Sequence, residues 1–253
     1  MPDLAATLSS SYGPHARQVV DVFIPRGAEA QALVVCLPSG WWEAGSPREL
    51  RPLALLLAEQ GLPVALLGTR LLNDGAVHGG ELLEDVLSGI RRALEDACLL
   101  GHDGRTFSLL GSGSGSLLAL LAGRALANEP TLRLRAIAAV GVTPSLERDS
   151  VLPNHHHACE RFAGADKASR SPAGLPLGGL PPLMLLHGDN DLDVSAKQAL
   201  KLHQAVQAAG GVSEVHILSG AGHHLLETPH DKHGTAALAY LMPFLREQGA
   251  PLV

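Results

Sequence analysis

Apolar residues come in two rhythms along this chain. Short runs rich in apolar residues cover residues 19–24, 32–37, 63–67, 106–110, 136–140, 183–187 and 214–218, that at 32–37 being continuous. Runs of this length, rich in Val, Ile and Leu and stopped by Pro, Gly or Ser, predict strands buried on both faces between helix layers. Between them lie stretches with a 3.6-residue period. Leu50, Leu53, Ala54, Leu57 and Ala58 mark a helix over 48–60 that stops at Gly61, and Leu82, Leu83, Val86, Leu87, Ile90 and Ala93 mark one over 81–94. Further helices are predicted over 117–127, 196–209 and 234–247. Strands alternating with helices of this length predict an α/β fold: a doubly wound, mostly parallel sheet with helices on both faces.

Residues 146–180 break the rhythm. They are polar and His-rich, then Gly- and Pro-rich (SPAGLPLGGL), and read as a cap excursion over the carboxyl edge of the sheet. No repeat or second domain is evident, so residues 1–253 are expected to form one domain.

Composition narrows the function. Apolar residues are 46% and charged residues 17%, enough for a large core, which excludes disorder. Aromatics are only 3% and the net charge is −6 with no basic cluster, which argues against a nucleic-acid partner. No apolar run approaches the ~18 residues of a spanning helix, and the start of the chain lacks a basic segment followed by a long apolar one. Cys36, Cys98 and Cys159 lie far apart with no CxxC pair. A cytoplasmic protein without structural disulfides is expected.

Ligands of open α/β sheets bind beyond the carboxyl ends of the strands, and four segments there carry chemistry. They are Gly111-Ser112-Gly113-Ser114-Gly115-Ser116, a tight small-residue turn between strand and helix; His187-Gly188-Asp189-Asn190-Asp191; Gly220-Ala221-Gly222-His223-His224; and the stretch from Pro38 through Ser39, Gly40, Trp41 and Trp42 to Ser46. A dinucleotide fingerprint does not fit the first, because Ser116 stands where the last glycine belongs.

In order and spacing these segments resemble the α/β-hydrolase family, particularly the small carboxylesterases of the hormone-sensitive-lipase and feruloyl-esterase branch. The resemblance runs from about Val19 to Leu245. It implies Asp191 as the acid and His223 as the base of a triad, with an oxyanion loop at 38–42. Gly45-Ser46 keeps a pair that often follows that loop. The same alignment puts Gly113 at the nucleophile position, where the family has serine. The oxyanion loop has Pro38 for its leading His and Ser39 for one Gly, while Gly40 and the Trp remain.

Three explanations stand open at this point. Gly113 is an introduced replacement of serine; or Ser112 or Ser114 serves instead through a slip of the turn; or the site is naturally altered. The backbone N–H groups of Gly40, Trp41 and Ser114 could still hold an oxyanion. Gly40, Trp41, Trp42, Ser112 and His156 are the expected binding residues. The resemblance implies a small ester or acyl compound as substrate. The alternatives are a cofactor-free lyase, cyclase or isomerase that uses a His223–Asp191 base dyad, and a non-catalytic ligand-binding pseudoenzyme.

No metal or organic cofactor is implied. His155, His156 and His157 are consecutive and so point in different directions, whereas zinc sites want spaced ligands. No membrane partner is expected, and a homodimer through an edge strand or an aliphatic helix stays open.

Overall fold

The computed structural model describes residues 4–28, 31–75, 77–165, 167–174 and 176–249. Met1–Asp3, on which part of the reading of the chain's start depends, lie outside them, as do residues 166 and 175 of the cap.

Eight strands form one sheet. They are β1 (Leu4–Ser11), β2 (Val19–Pro25), β3 (Leu33–Leu37), β4 (Val64–Leu67), β5 (Thr106–Ser112), β6 (Arg133–Val140), β7 (Leu183–Gly188) and β8 (Ser213–Leu218), in the order β1-β2-β4-β3-β5-β6-β7-β8. From β4 to β8 every pairing is parallel, and only β1–β2 and β2–β4 are antiparallel. The mostly parallel, doubly wound sheet is the α/β-hydrolase fold. Strand β1 goes beyond the seven expected strands; its sequence LAATLSSS is too small and polar to announce itself, and it pairs as an edge strand on β2.

Alternate residues of each central strand enter different cores. Leu33, Val35 and Leu37 pack with α2 (Gly79–Leu99), α3 (Ser114–Leu126) and α5 (Lys197–Ala208). Val34 and Cys36 face α1 (Arg51–Glu59) and α6 (Lys232–Gly249) on the opposite side. This period of two, with both faces buried, is why β3 reads as an unbroken apolar run. Cys36 is fully buried, and burial pushes its thiol well above the usual range.

Residues 146–180 cross the carboxyl edge and contain a helix, α4 (His156–Ala163), flanked by two single 3-10 turns. Ala158, Cys159, Phe162 and Ala163 bury one side of α4. Arg161 on its outer side donates to Glu43 Oε1 at 2.6 Å, to Asn73 Oδ1 at 2.8 Å and to the Leu72 carbonyl, strapping the cap to the loops after β3 and β4. Among the described residues no helix is long and apolar enough to cross a membrane.

Candidate active site

The turn from β5 into α3 is built on space. A Cβ on Gly111 would lie 2.4 Å from Ser116 Cα, and one on Gly115 would lie 2.5 Å from the Leu37 and Pro38 carbonyl oxygens. Both positions therefore need glycine for the helix to pack against β3 and its own strand. Between them Gly113 sits at φ 50° and ψ −121°, a conformation that side chains rarely adopt. Ser116 Oγ closes the turn by donating to the Gly113 carbonyl at 2.6 Å and accepting from Thr143 N at 3.3 Å.

Asp191 and His223 stand beyond this turn on loops that are laced together. Asp189 N donates to the Leu218 carbonyl, Asn190 N to the Ala221 carbonyl, and Gly220 N to Asp189 Oδ1 at 2.6 Å. Asp191 Oδ1 accepts from Asp193 N at 2.8 Å and Val194 N at 2.9 Å, which fixes the carboxylate plane. Its Oδ2 lies 2.7 Å from His223 Nδ1 and 2.8 Å from His187 Nε2. His187 Nε2 also lies 3.0 Å from the Val194 carbonyl. Both of its neighbours are acceptors, so that nitrogen carries the proton.

These contacts set the charges. Burial alone would raise the Asp191 carboxyl, but the hydrogen bonds from His187 and His223 overcome it and hold the group well below the usual carboxylate range. Burial would lower the His223 imidazole. The hydrogen bond and charge of Asp191, joined by Asp193 and Glu227, outweigh that and raise it. With Nδ1 given to Asp191, His223 Nε2 is left as the free base. It is buried without a hydrogen-bond partner and lies 2.8 Å from the position of a Cβ on Gly113. The arrangement can take a proton from a group placed at that point and return it.

The loop after β3 forms the opposite wall. Gly40 has φ 121°, and Trp41 and Trp42 follow at φ 52° and 60°, two consecutive bulky residues in the left-handed region. The Gly40 carbonyl accepts from Glu43 N and Ala44 N, which holds the bend. The bend splits the two indoles. Trp41 stacks on His155 at 3.8 Å and lies 6.3 Å from the His223 ring, nearly parallel to both. Trp42 packs on Phe162 of the cap at 4.1 Å, and its Nε1 donates to the Ser114 carbonyl at 3.1 Å. Ser114 opens α3, where the first N–H groups have no intrahelical acceptor.

The fold therefore brings together Gly113, Ser114, Asp191, His223, Gly40, Trp41 and Trp42. Two further expected residues face elsewhere. Ser112 Oγ donates to Glu227 Oε1 at 2.7 Å. His156 Nε2 points to the Arg148 and Val151 carbonyls inside the cap. His155 is the cap histidine that reaches the site, held by Asp193 Oδ1 at 2.9 Å. Sequence reasoning also missed His187 and Glu227. The former had a signal, a histidine ending a buried strand four residues before the acid.

Asp191, Asp193 and His223 offer donor atoms within 4.8 Å of one another. Both Asp191 oxygens already accept two hydrogen bonds each, and Asp193 accepts from His155. The Asp191 carboxylate is thus engaged with protein donors on both oxygens.

A cavity of about 460 Å³ opens beside the site, between the loop after β3 and strands β1 and β2. Its walls include Leu37, Ser39, Trp42, Leu71, Ser114 and Leu118.

Known proteins share this architecture. Esterase B from Lactobacillus rhamnosis superposes with a TM-score of 0.83 at 18% identity, covering 96% of this chain and 85% of that one. Esterase 2 of Thermogutta terrifontis gives 0.78 at 20% identity, with 96% and 92% covered. Isoprenylcysteine alpha-carbonyl methylesterase from Arabidopsis thaliana is 23% identical over 239 residues, 84% of this chain; the chain spans about half the length of that relative, 55%. The sequence profile of the prolyl oligopeptidase family matches residues 120–248, just over half of the chain, and includes Asp191 and His223. The chain belongs to the prolyl oligopeptidase family of α/β-hydrolases.

Proposed function

We propose that this protein hydrolyses small carboxylic esters. His223 acts as the general base, Asp191 fixes its tautomer and stabilises the imidazolium, and the N–H groups of Gly40, Trp41 and Ser114 receive the developing oxyanion. The observation that carries this reading is His223 Nε2, buried, unpartnered and aimed at the turn at Gly113. A buried imidazole nitrogen with nothing to bond is costly in a protein that only needs to be stable. The esterases among its structural relatives and the methylesterase relative favour an ester over a peptide bond, although the family is named for peptidases.

Gly113 has no side chain, so an acyl-enzyme cannot form there. That feature favours a second reading, a pocket that binds an ester or acid without turning it over. Hydrolysis of p-nitrophenyl acetate and butyrate, with a proline p-nitroanilide alongside, separates the possibilities. The expected result is turnover of the esters, lost in His223→Gln and absent for the anilide. Ester turnover that survives His223→Gln overturns the assignment of the base. Binding of butyrate without turnover of any substrate supports the second reading.

A further inference from the structure

The nucleophile missing at Gly113 has a replacement in space. A Cβ on Gly113 would lie 2.2 Å from Ser39 Oγ and 3.0 Å from Ser39 Cβ, as well as 2.8 Å from His223 Nε2. The Ser39 hydroxyl thus already fills the volume that a side chain at position 113 would use, and it fills it in front of the same imidazole nitrogen. Ser39 is only 6% exposed, and its Oγ has no hydrogen-bond partner among the described residues. Buried hydroxyls are nearly always paired. Two orphaned groups, one a hydroxyl and one a base, converge on a single point. That is the state of a nucleophile and its base before substrate draws them together.

The position of the cavity agrees. Ser39 and Ser114 form part of its wall, whereas Ser112, Gly113 and His223 do not. The nearby hydroxyls of Ser112 and Ser116 are already donated to Glu227 and to the Gly113 carbonyl.

We propose that Ser39, on the loop after β3, is the nucleophile of this enzyme, moved from the β5–α3 turn to the facing loop. The proposal rests on the ester-hydrolase reading. Ser39 Oγ forms a bond to the acyl carbon while His223 Nε2 takes its proton. The ester C–O bond breaks, and the alcohol leaves with that proton. Water then attacks the acyl-Ser39, giving a proton to Nε2; the acid departs and Ser39 recovers its proton. The N–H groups of Gly40, Trp41 and Ser114 receive the oxyanion of each step, as in the reading above.

A p-nitrophenyl alkylphosphonate tests this on the wild-type chain, since an activated hydroxyl displaces nitrophenolate and keeps the phosphonyl group. Peptide mass mapping is expected to find the adduct on Ser39, with one equivalent of nitrophenolate released. Ser39→Ala is expected to lose the adduct and to lower kcat/KM for p-nitrophenyl butyrate by about 10⁴- to 10⁶-fold. Gly113→Ser alone is expected to gain nothing, because its Cβ collides with Ser39. Ser39→Gly combined with Gly113→Ser is expected to recover hydrolysis with the adduct moved to position 113. An adduct on Ser114, or ester turnover that survives Ser39→Ala, overturns the assignment and leaves the ester-hydrolase reading standing. Wild-type turnover with no adduct on any serine also overturns it. A wild-type chain that neither hydrolyses esters nor takes up phosphonate overturns the ester-hydrolase reading itself. The wild-type labelling decides the matter even where a variant fails to fold.

Discussion

Trp42 Nε1 donates to the Ser114 carbonyl at 3.1 Å, coupling the loop after β3 to the first turn of α3. The same indole packs on Phe162, so one side chain joins loop, helix and cap. Trp42→Ala is expected to cost about 3–5 kcal/mol, the range for truncating a buried tryptophan. Trp42→Phe keeps most of the packing and loses the hydrogen bond, at about 1 kcal/mol. Urea unfolding of the two variants beside wild type measures both.

The raised His223 pKa sets the pH dependence. A general base works deprotonated, so kcat/KM for a p-nitrophenyl ester is expected to fall as pH drops through a value above the ordinary ~6.5 of histidine. Glu227 contributes to the upward shift with its negative charge. Glu227→Gln removes the charge, and the acid limb is expected to move to lower pH. A limb that stays in place or moves up would show that Glu227 does not act on His223 through its charge.

Asp191→Asn replaces a carboxylate that accepts from His223 Nδ1 with an amide that can donate to it. The tautomer then reverses, with the proton on Nε2 and no free base at the turn. A fall of about 10⁴ in kcat is expected, with KM little changed. A loss confined to KM would contradict the role given to Asp191.

Away from the site, Asp85 is buried at the base of α2. It accepts from Gln18 Nε2 at 2.8 Å, from the Arg70 amide at 2.9 Å and from the Arg70 guanidinium at 2.7 Å. Arg70→Met strands that charge and is expected to destabilise the fold by about 3–5 kcal/mol. Adding Asp85→Leu removes the stranded charge, and the double variant is expected to regain much of the loss. A thermal denaturation series reads both.

Much of this was legible in the residues. Strands buried on both faces favour apolar residues throughout, so β3, β4 and most of β7 showed as unbroken runs, while β2, β5, β6 and β8 showed through their branched and aliphatic residues. The three glycines of the β5–α3 turn, with Asp191 and His223 at later strand ends, were readable as motif and spacing because backbone geometry demands them. Strand β1 was not, since an edge strand of Leu, Ala, Thr and Ser needs little hydrophobicity. Helix α4 hid in a His-rich segment although Ala158, Cys159, Phe162 and Ala163 carry its period. The histidine that reaches the site, His155 and not His156, is set by where the 3-10 turn ends and α4 begins. The position of Ser39 depends on how the bend at Trp41 and Trp42 folds over α3. No local pattern encodes either.

Trp41 lies close to two imidazoles, 3.8 Å from His155 and 6.3 Å from His223, and nearly parallel to both. A protonated imidazole quenches an indole beside it, and the chain has only one other tryptophan. Its fluorescence is therefore an internal gauge of charge at the site. Emission is expected to brighten as His223 loses its proton, and in Trp41→Phe the pH-dependent signal disappears. Ligand arrival and the ionisation of His223 can thus be followed by light from the protein itself, with no label attached.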